Sequence, residues 1–161
     1  MKVLGVDPGL SITGYGLVEI KMGEPSLAEA GLIRLRRGEP VERRLSELYD
    51  GAREIMRELS PDVVVVEEVH SQYSRPATAI MMGHARGVLF LAAAKSGIPV
   101  VGYSAAHIKK AVTGNGRASK GQVQRMVRAR LKLSDPHLPE DVSDALAVAL
   151  CHCNALLNGG R

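Results

Sequence analysis

MKVLGVDPGLSITGYGLVEI, residues Met1–Ile20, decides how the chain begins to fold. Met1–Asp7 (MKVLGVD) has the apolar run of a short buried strand and ends on an acid. Pro8-Gly9 marks a turn, and Thr13–Ile20 (TGYGLVEI) reads as a second strand. Met22-Gly23 marks another turn before Leu27–Arg36 (LAEAGLIRLR), whose later part alternates apolar and polar residues as a half-buried strand does. Three strands joined by short turns predict an antiparallel meander. Further along, Asp62–Glu68 (DVVVVEE) is an unbroken apolar run closed by acids, the pattern of a central strand covered on both faces.

Helices fill the intervals. Pro40 opens one whose Leu45, Leu48, Ala52, Ile55, Met56 and Leu59 recur at helical spacing, with charges opposite. Arg75–Ser96 reads as a long, mostly apolar helix stopped by Gly97 and Pro99, and Pro99–Tyr103 as a short strand. Ser104 suits the cap of a helix running to about Thr113; Gly114-Asn115-Gly116 then reads as a mobile turn. Ser119–Leu133 forms a basic helix, and Glu140–Leu157 the last one. The order βββ-α-β-α-β-α-α-α predicts an α/β fold, a five-stranded mixed sheet flanked by helices. One domain spans residues 1–157, followed by a flexible tail, 158–161.

Composition agrees with a globular domain. The chain has 161 residues, 45% hydrophobic and 24% charged, which argues against disorder. Two cysteines, Cys151 and Cys153, make no disulfide framework and point to a reducing, cytoplasmic setting; no signal-peptide pattern precedes the first strand. The longest apolar stretch, Ala77–Ala94, carries His84 and Arg86 at its middle, so no membrane span is expected. The net charge of +4 conceals an asymmetry: no acid occurs between Val69 and Ser134, against 11 basic residues. Such a block attracts polyanions, nucleic acid first among them, unless it is simply a solvated face. Aromatic residues are only 3%, which excludes a broad base-stacking platform.

The acids at strand ends carry the chemical signal. Asp7 ends the first strand and Glu67 ends the valine run, both beside buried apolar stretches where an unpaired charge is costly. Asp141 and Asp144 are three apart near the start of the last helix and can point from one face. Singly, each has an ordinary structural role: a turn acid, strand-end charges, helix N-terminal acids. If the two strands are neighbours and the helix crosses their ends, four carboxylates converge and need cations. An all-oxygen set suits Mg²⁺ or Mn²⁺, and a pair of such ions promotes in-line attack on a phosphodiester.

Five segments carry a family resemblance: VDPGLSITGYG (Val6–Gly16), VVVEEVH (Val64–His70), GHARGV (Gly83–Val88), the Lys109–Lys120 stretch and DVSDALAVALCHC (Asp141–Cys153). In order and spacing, over about 150 residues, they resemble the RuvC Holliday-junction resolvases. The resemblance implies a ribonuclease H-like fold and a homodimer. It also implies a Mg²⁺-dependent endonuclease, with two ions per subunit and Mn²⁺ as a substitute, that nicks opposed strands of a four-way DNA junction symmetrically in recombination and repair. It places the catalytic, metal-holding quartet on Asp7, Glu67, Asp141 and Asp144, and the functional lysines on Lys109 and Lys120. Glu67 rather than Glu68 matches, because strand alternation turns Glu68 to the other face. It further implies work beside the RuvA–RuvB branch-migration complex.

Arg75 and Arg117 extend the expected DNA surface. The family's stacking aromatic is replaced by His70, with Tyr73 nearby as an alternative. The long helix from Arg75 is expected at the dimer interface or, equally, in the core. Cys151-His152-Cys153 invites a zinc reading, but alternate residues on a helix point apart and no second pair completes a site. His84 is expected as a packed or interface residue, and His107 at a helix surface or beside phosphate. Rival readings are a ribonuclease H-like nuclease acting on RNA or hybrid, a junction-binding protein without catalysis, and a sugar-kinase-like ATPase, for which the chain is too short to supply a second lobe.

Overall fold

The structure is a computed structural model that describes residues 1–68, 76–135 and 137–159. Its elements are β1 (Lys2–Asp7), β2 (Ile12–Lys21), β3 (Glu24–Arg34), α1 (Val41–Leu59), β4 (Val63–Glu67), α2 (Pro76–Lys95), β5 (Val100–Tyr103), α3 (Ala105–Thr113), α4 (Lys120–Leu131) and α5 (Glu140–Gly159). The sheet order is β3-β2-β1-β4-β5. β1–β2 and β2–β3 pair antiparallel, whereas β1–β4 and β4–β5 pair parallel. The expected mixed sheet of five strands is therefore present, with the meander on one side and the parallel strands on the other.

Side-chain alternation divides the core in two. Val3, Val18, Val63 and Val65 face α3, α4 and α5. Leu4, Val6, Leu17, Val64 and Val66 face α1 and α2. Val63 to Val66 are all at most 4% exposed, as a strand covered on both sides requires. Local signals set the helix starts. Ser104 caps α3 by accepting from the His107 N–H. Ser119 and Gln122 form a reciprocal capping box at α4.

One boundary needs correction. The last helix does not stop at Leu157: Asn158 and Gly159 continue it, and no proline precedes them to end the helix sooner. The Gly114–Gly116 turn carries hydrogen bonds of its own. Thr113 Oγ1 donates to the Asn115 carbonyl at 3.1 Å, and the Arg117 N–H donates to Asn115 Oδ1 at 2.9 Å. Ala77–Lys95 is long and apolar enough to cross a membrane by length and composition alone, a test that a core helix also passes. Ala85, Leu89, Ala92 and Ala93 nevertheless pack into the core, while Ile80, Phe90 and Leu91 are exposed. The helix is apolar on two sides, one used inside this chain and one not.

Candidate active site

Asp7 and Glu67 reach the same place by register and alternation. Val3, Gly5 and Asp7 lie on the α5 side of β1, and Val63, Val65 and Glu67 on the α5 side of β4. The parallel ladder pairs Val6 with Val66, so Asp7 and Glu67 follow side by side at the carboxyl ends of adjacent strands. Glu68 takes the other face: its side chain lies 3.0 Å from where a Cβ on Gly102 would stand, near Arg86 of α2.

The close approach of α5 brings in the remaining pair. A Cβ on Gly5 would stand 2.0 Å from the Ala145 carbonyl oxygen, and one on Gly14 would stand 2.0 Å from the Asp141 carbonyl oxygen. Helix backbone thus rests directly on sheet backbone, which only glycine permits. Gly14 is the register partner of Asp7 on β2, so the contact at Gly14 sets Asp141 beside Asp7. Asp144 follows three residues on, along the same helix face. The loop after Asp7 is closed by buried Thr13. Its Oγ1 accepts from the Gly9 N–H at 3.0 Å and donates to the Gly9 carbonyl at 2.8 Å.

The electrostatics register this convergence. Burial, then the charges of Asp144, Asp141 and Glu67, push the Asp7 carboxyl up to about 7, and Lys120 partly opposes them. Lys120 Nζ is 3.0 Å from Asp144 Oδ2 and 3.1 Å from Glu140 Oε2. These bonds, Asp144 first, hold the ammonium above its ordinary range although burial pulls the other way. Glu140 was not among the expected residues; its only signal was an acid in the first turn of the last helix. The donor set fits a hard divalent cation: it is carboxylate throughout, and Asp7 cannot ionise easily without positive charge nearby. As they stand, among the described residues no three His, Cys, Asp or Glu side chains form a ready cage, and the ammonium of Lys120 lies among them.

Other expected residues distribute more widely. Lys109 lies on α3, half-buried, and Arg117 is exposed in the turn before α4. His70, Tyr73 and Arg75 lie outside the described residues. His84 is exposed on α2. Cys151, His152 and Cys153 are buried in α5. Burial pushes the thiol of Cys151 up to about 12 and that of Cys153 up to about 11. His152 Nδ1 meets the Tyr103 hydroxyl at 2.9 Å.

Residues 3–152 match the family model for crossover junction endodeoxyribonuclease RuvC. The chain is 47% identical over 154 residues to the RuvC of Moorella thermoacetica, covering 96% of this chain and 92% of that protein. It is 45% identical over 149 residues to that of Rhodopirellula baltica, covering 92% and 84%. Among solved structures, Thermus thermophilus RuvC in complex with a Holliday junction substrate superposes with a TM-score of 0.91 at 32% identity, covering 99% of this chain and 96% of that one. The yeast mitochondrial Holliday junction resolvase shares the fold at a TM-score of 0.67 and 14% identity, covering 98% and 80%.

Proposed function

The chain belongs to the RuvC family of crossover junction endodeoxyribonucleases, and on that premise we propose that it resolves four-way DNA junctions by hydrolysing opposed phosphodiesters. One observation carries the site assignment. Acids from two separated segments, Glu67 of β4 and Asp141 and Asp144 of α5, converge on the carboxyl of Asp7 at the end of β1. Nucleases of this family are metal-dependent; we assign Mg²⁺, two ions per subunit, with Mn²⁺ able to substitute. Bound there, the ions supply an activated water and stabilise the leaving oxygen.

The chain's own residues have separable tasks. Asp7, central in the cluster, would hold the ions together with Glu67, Asp144 and Asp141, and Asp141 would also orient the attacking water. Lys120 exchanges its bond to Asp144 for a phosphate oxygen of the scissile strand, offsetting charge as the transition state forms. Lys109 and Arg117 contact neighbouring phosphates, which position the DNA without reading sequence. We also assign DNA contacts to His70, Tyr73 and Arg75, with His70 or Tyr73 stacking on a base at the opened junction centre.

A junction with approximate twofold symmetry calls for two sites related by a twofold axis. The outer face of α2 fits an interface between two copies. Ile80 is 60% and Leu91 50% exposed, with Gly83 and Gly87 between them to allow close approach. Leu91→Glu is expected to yield monomers by analytical ultracentrifugation. The RuvA–RuvB branch-migration complex is the partner that would deliver the substrate, and no membrane is involved. The decisive experiment is incubation of a mobile four-way junction with and without Mg²⁺, mapping both nicks against an RNA–DNA hybrid control. Paired symmetric nicks in the junction, abolished by Asp7→Asn with binding retained, are the expected result. Preferential cleavage of the hybrid, or loss of junction binding in Asp7→Asn, overturns the reading.

A further inference from the structure

Tyr103 ends β5 in register with Glu67 at the end of β4. Residues paired this way in a parallel sheet stand about 5 Å apart. Both lie on the α5 side, since Val101 and Tyr103 join the core that contains Val63 and Val65. The Tyr103 carbonyl also accepts the Glu68 N–H at 2.9 Å, which fixes the backbone immediately after Glu67. β5 is an edge strand of four residues, all only half-buried, so pairing on one side alone does not immobilise its end.

The side chain of Tyr103 supplies the missing restraint. Its hydroxyl meets Nδ1 of His152, which is 9% exposed on α5. Burial disfavours the charged imidazole and pushes the phenol up, and the two groups share one hydrogen bond whichever tautomer the ring adopts. The Tyr103 ring is also packed against His107, with centroids 5.1 Å apart. A second tie lies close by: Asn154 Nδ2 of α5 donates to the Ala111 carbonyl of α3 at 2.7 Å. α5 is the helix that carries Asp141 and Asp144.

We propose that Tyr103 and His152 are positioning residues that brace the Glu67 strand end against α5 and so fix the spacing between Glu67 and the Asp141–Asp144 pair. This rests on the metal-holding role assigned to those acids. The brace matters because carboxylates on two separate elements hold an ion tightly only while their spacing is fixed. The deletion of one hydroxyl leaves the tyrosine ring and its packing in place.

Mn²⁺ affinity, measured by calorimetric titration in the absence of DNA, is the readout, alongside junction binding in EDTA and cleavage. Tyr103→Phe is expected to weaken Mn²⁺ binding roughly tenfold, as loss of a ligand-orienting bond typically does, with unchanged junction affinity in EDTA. His152→Asn, which keeps an amide able to accept or donate near the Nδ1 position, should bind Mn²⁺ within about twofold of the parent, and His152→Leu should resemble Tyr103→Phe. The double variant Tyr103→Phe/His152→Leu should be no weaker than either single one, because both remove the same bond. Asp7→Asn separates the two levels of inference. If it leaves Mn²⁺ binding intact, the metal assignment fails. If it abolishes binding while Tyr103→Phe matches the parent, the brace alone is overturned, as it also is if the two single effects add. Should His152→Leu fail to fold, Tyr103→Phe decides.

Discussion

Replacing Asp7 with asparagine should make the metal-free protein more stable in alkaline buffer while abolishing cleavage. In the folded chain the Asp7 carboxyl is pushed from 3.8 up to about 7 by burial and by Asp144, Asp141 and Glu67. Below 3.8 the folded and unfolded chains both hold this proton, and the site costs nothing. As pH rises from there, the unfolded chain releases the proton first, so folding becomes progressively less favourable until the folded carboxyl also ionises near 7. Each tenfold difference in proton affinity is worth about 1.4 kcal/mol, so the full cost above pH 7 is about 4 kcal/mol. Asparagine has no such cost and also removes one charge from its neighbours. Between pH 5 and pH 8 the stability advantage of Asp7→Asn should therefore widen by roughly 2–3 kcal/mol. For a domain of this size that is about 5–10 °C in Tm. The assay is thermal melting by circular dichroism in EDTA and low salt, at intervals from pH 5 to 8. Divalent cation should then raise the parent's Tm at pH 8 far more than the variant's. An advantage that does not change with pH, or a variant less stable than the parent at pH 8, would refute the convergence of charge at Asp7.

Three further outcomes follow from the same geometry. Lys120→Met should slow cleavage and lower the salt dependence of junction affinity by about one ion, about 0.9 in the logarithmic slope; an unchanged slope would exclude a phosphate contact. Gly14→Ala sets a methyl group 2.0 Å from the Asp141 carbonyl oxygen, so α5 must shift. A stability loss of about 1–3 kcal/mol in urea, with cleavage lost disproportionately, is expected; full activity would mean that α5 need not lie so close. Thr13→Val keeps shape but removes both bonds to Gly9, and about 1–3 kcal/mol should be lost in denaturant melts, with activity reduced because the turn after Asp7 loosens.

The elements were legible because their signals are local. Four successive valines without polar relief announce a strand covered on both faces, and Val63 to Val66 are buried in that way. Ser104 and Ser119 precede their helices and cap them. The direction of Glu67 against Glu68 followed from alternation alone. What the sequence did not disclose was contact between distant segments. Gly5, Gly14 and Gly16 read as members of two strands and of a motif, whereas their common property is that α5 lies where their side chains would be. Glu140 shares Lys120 with Asp144 across the loop between α4 and α5, and no spacing rule predicts that pairing. His152 sat inside a cysteine pair that suggested metal, and its real partner is 49 residues away.

These omissions have a common physical origin, and it bears on how the site works. Asp7 and Glu67 stand on neighbouring strands whose hydrogen-bond ladder fixes their spacing. Asp141 and Asp144 stand on a helix that has no ladder to the sheet; only packing and side-chain bonds hold it there. A helix free to rise by one methyl radius would move two of the four acids together relative to the other two. Bare glycine in β1 and β2 removes that freedom by letting backbone meet backbone, where no rotamer can yield. The cost is a concentrated negative charge, visible in the carboxyl of Asp7 and in the ammonium of Lys120 seated on Asp144. On the proposed metal assignment, Lys120 and a divalent ion would stabilise the same carboxylates, and a cation held by Asp144 would leave the lysine free for a phosphate. Metal binding and phosphate capture would then be linked through that one side chain, which makes Lys120→Met the variant in which Mn²⁺ affinity should rise while cleavage falls.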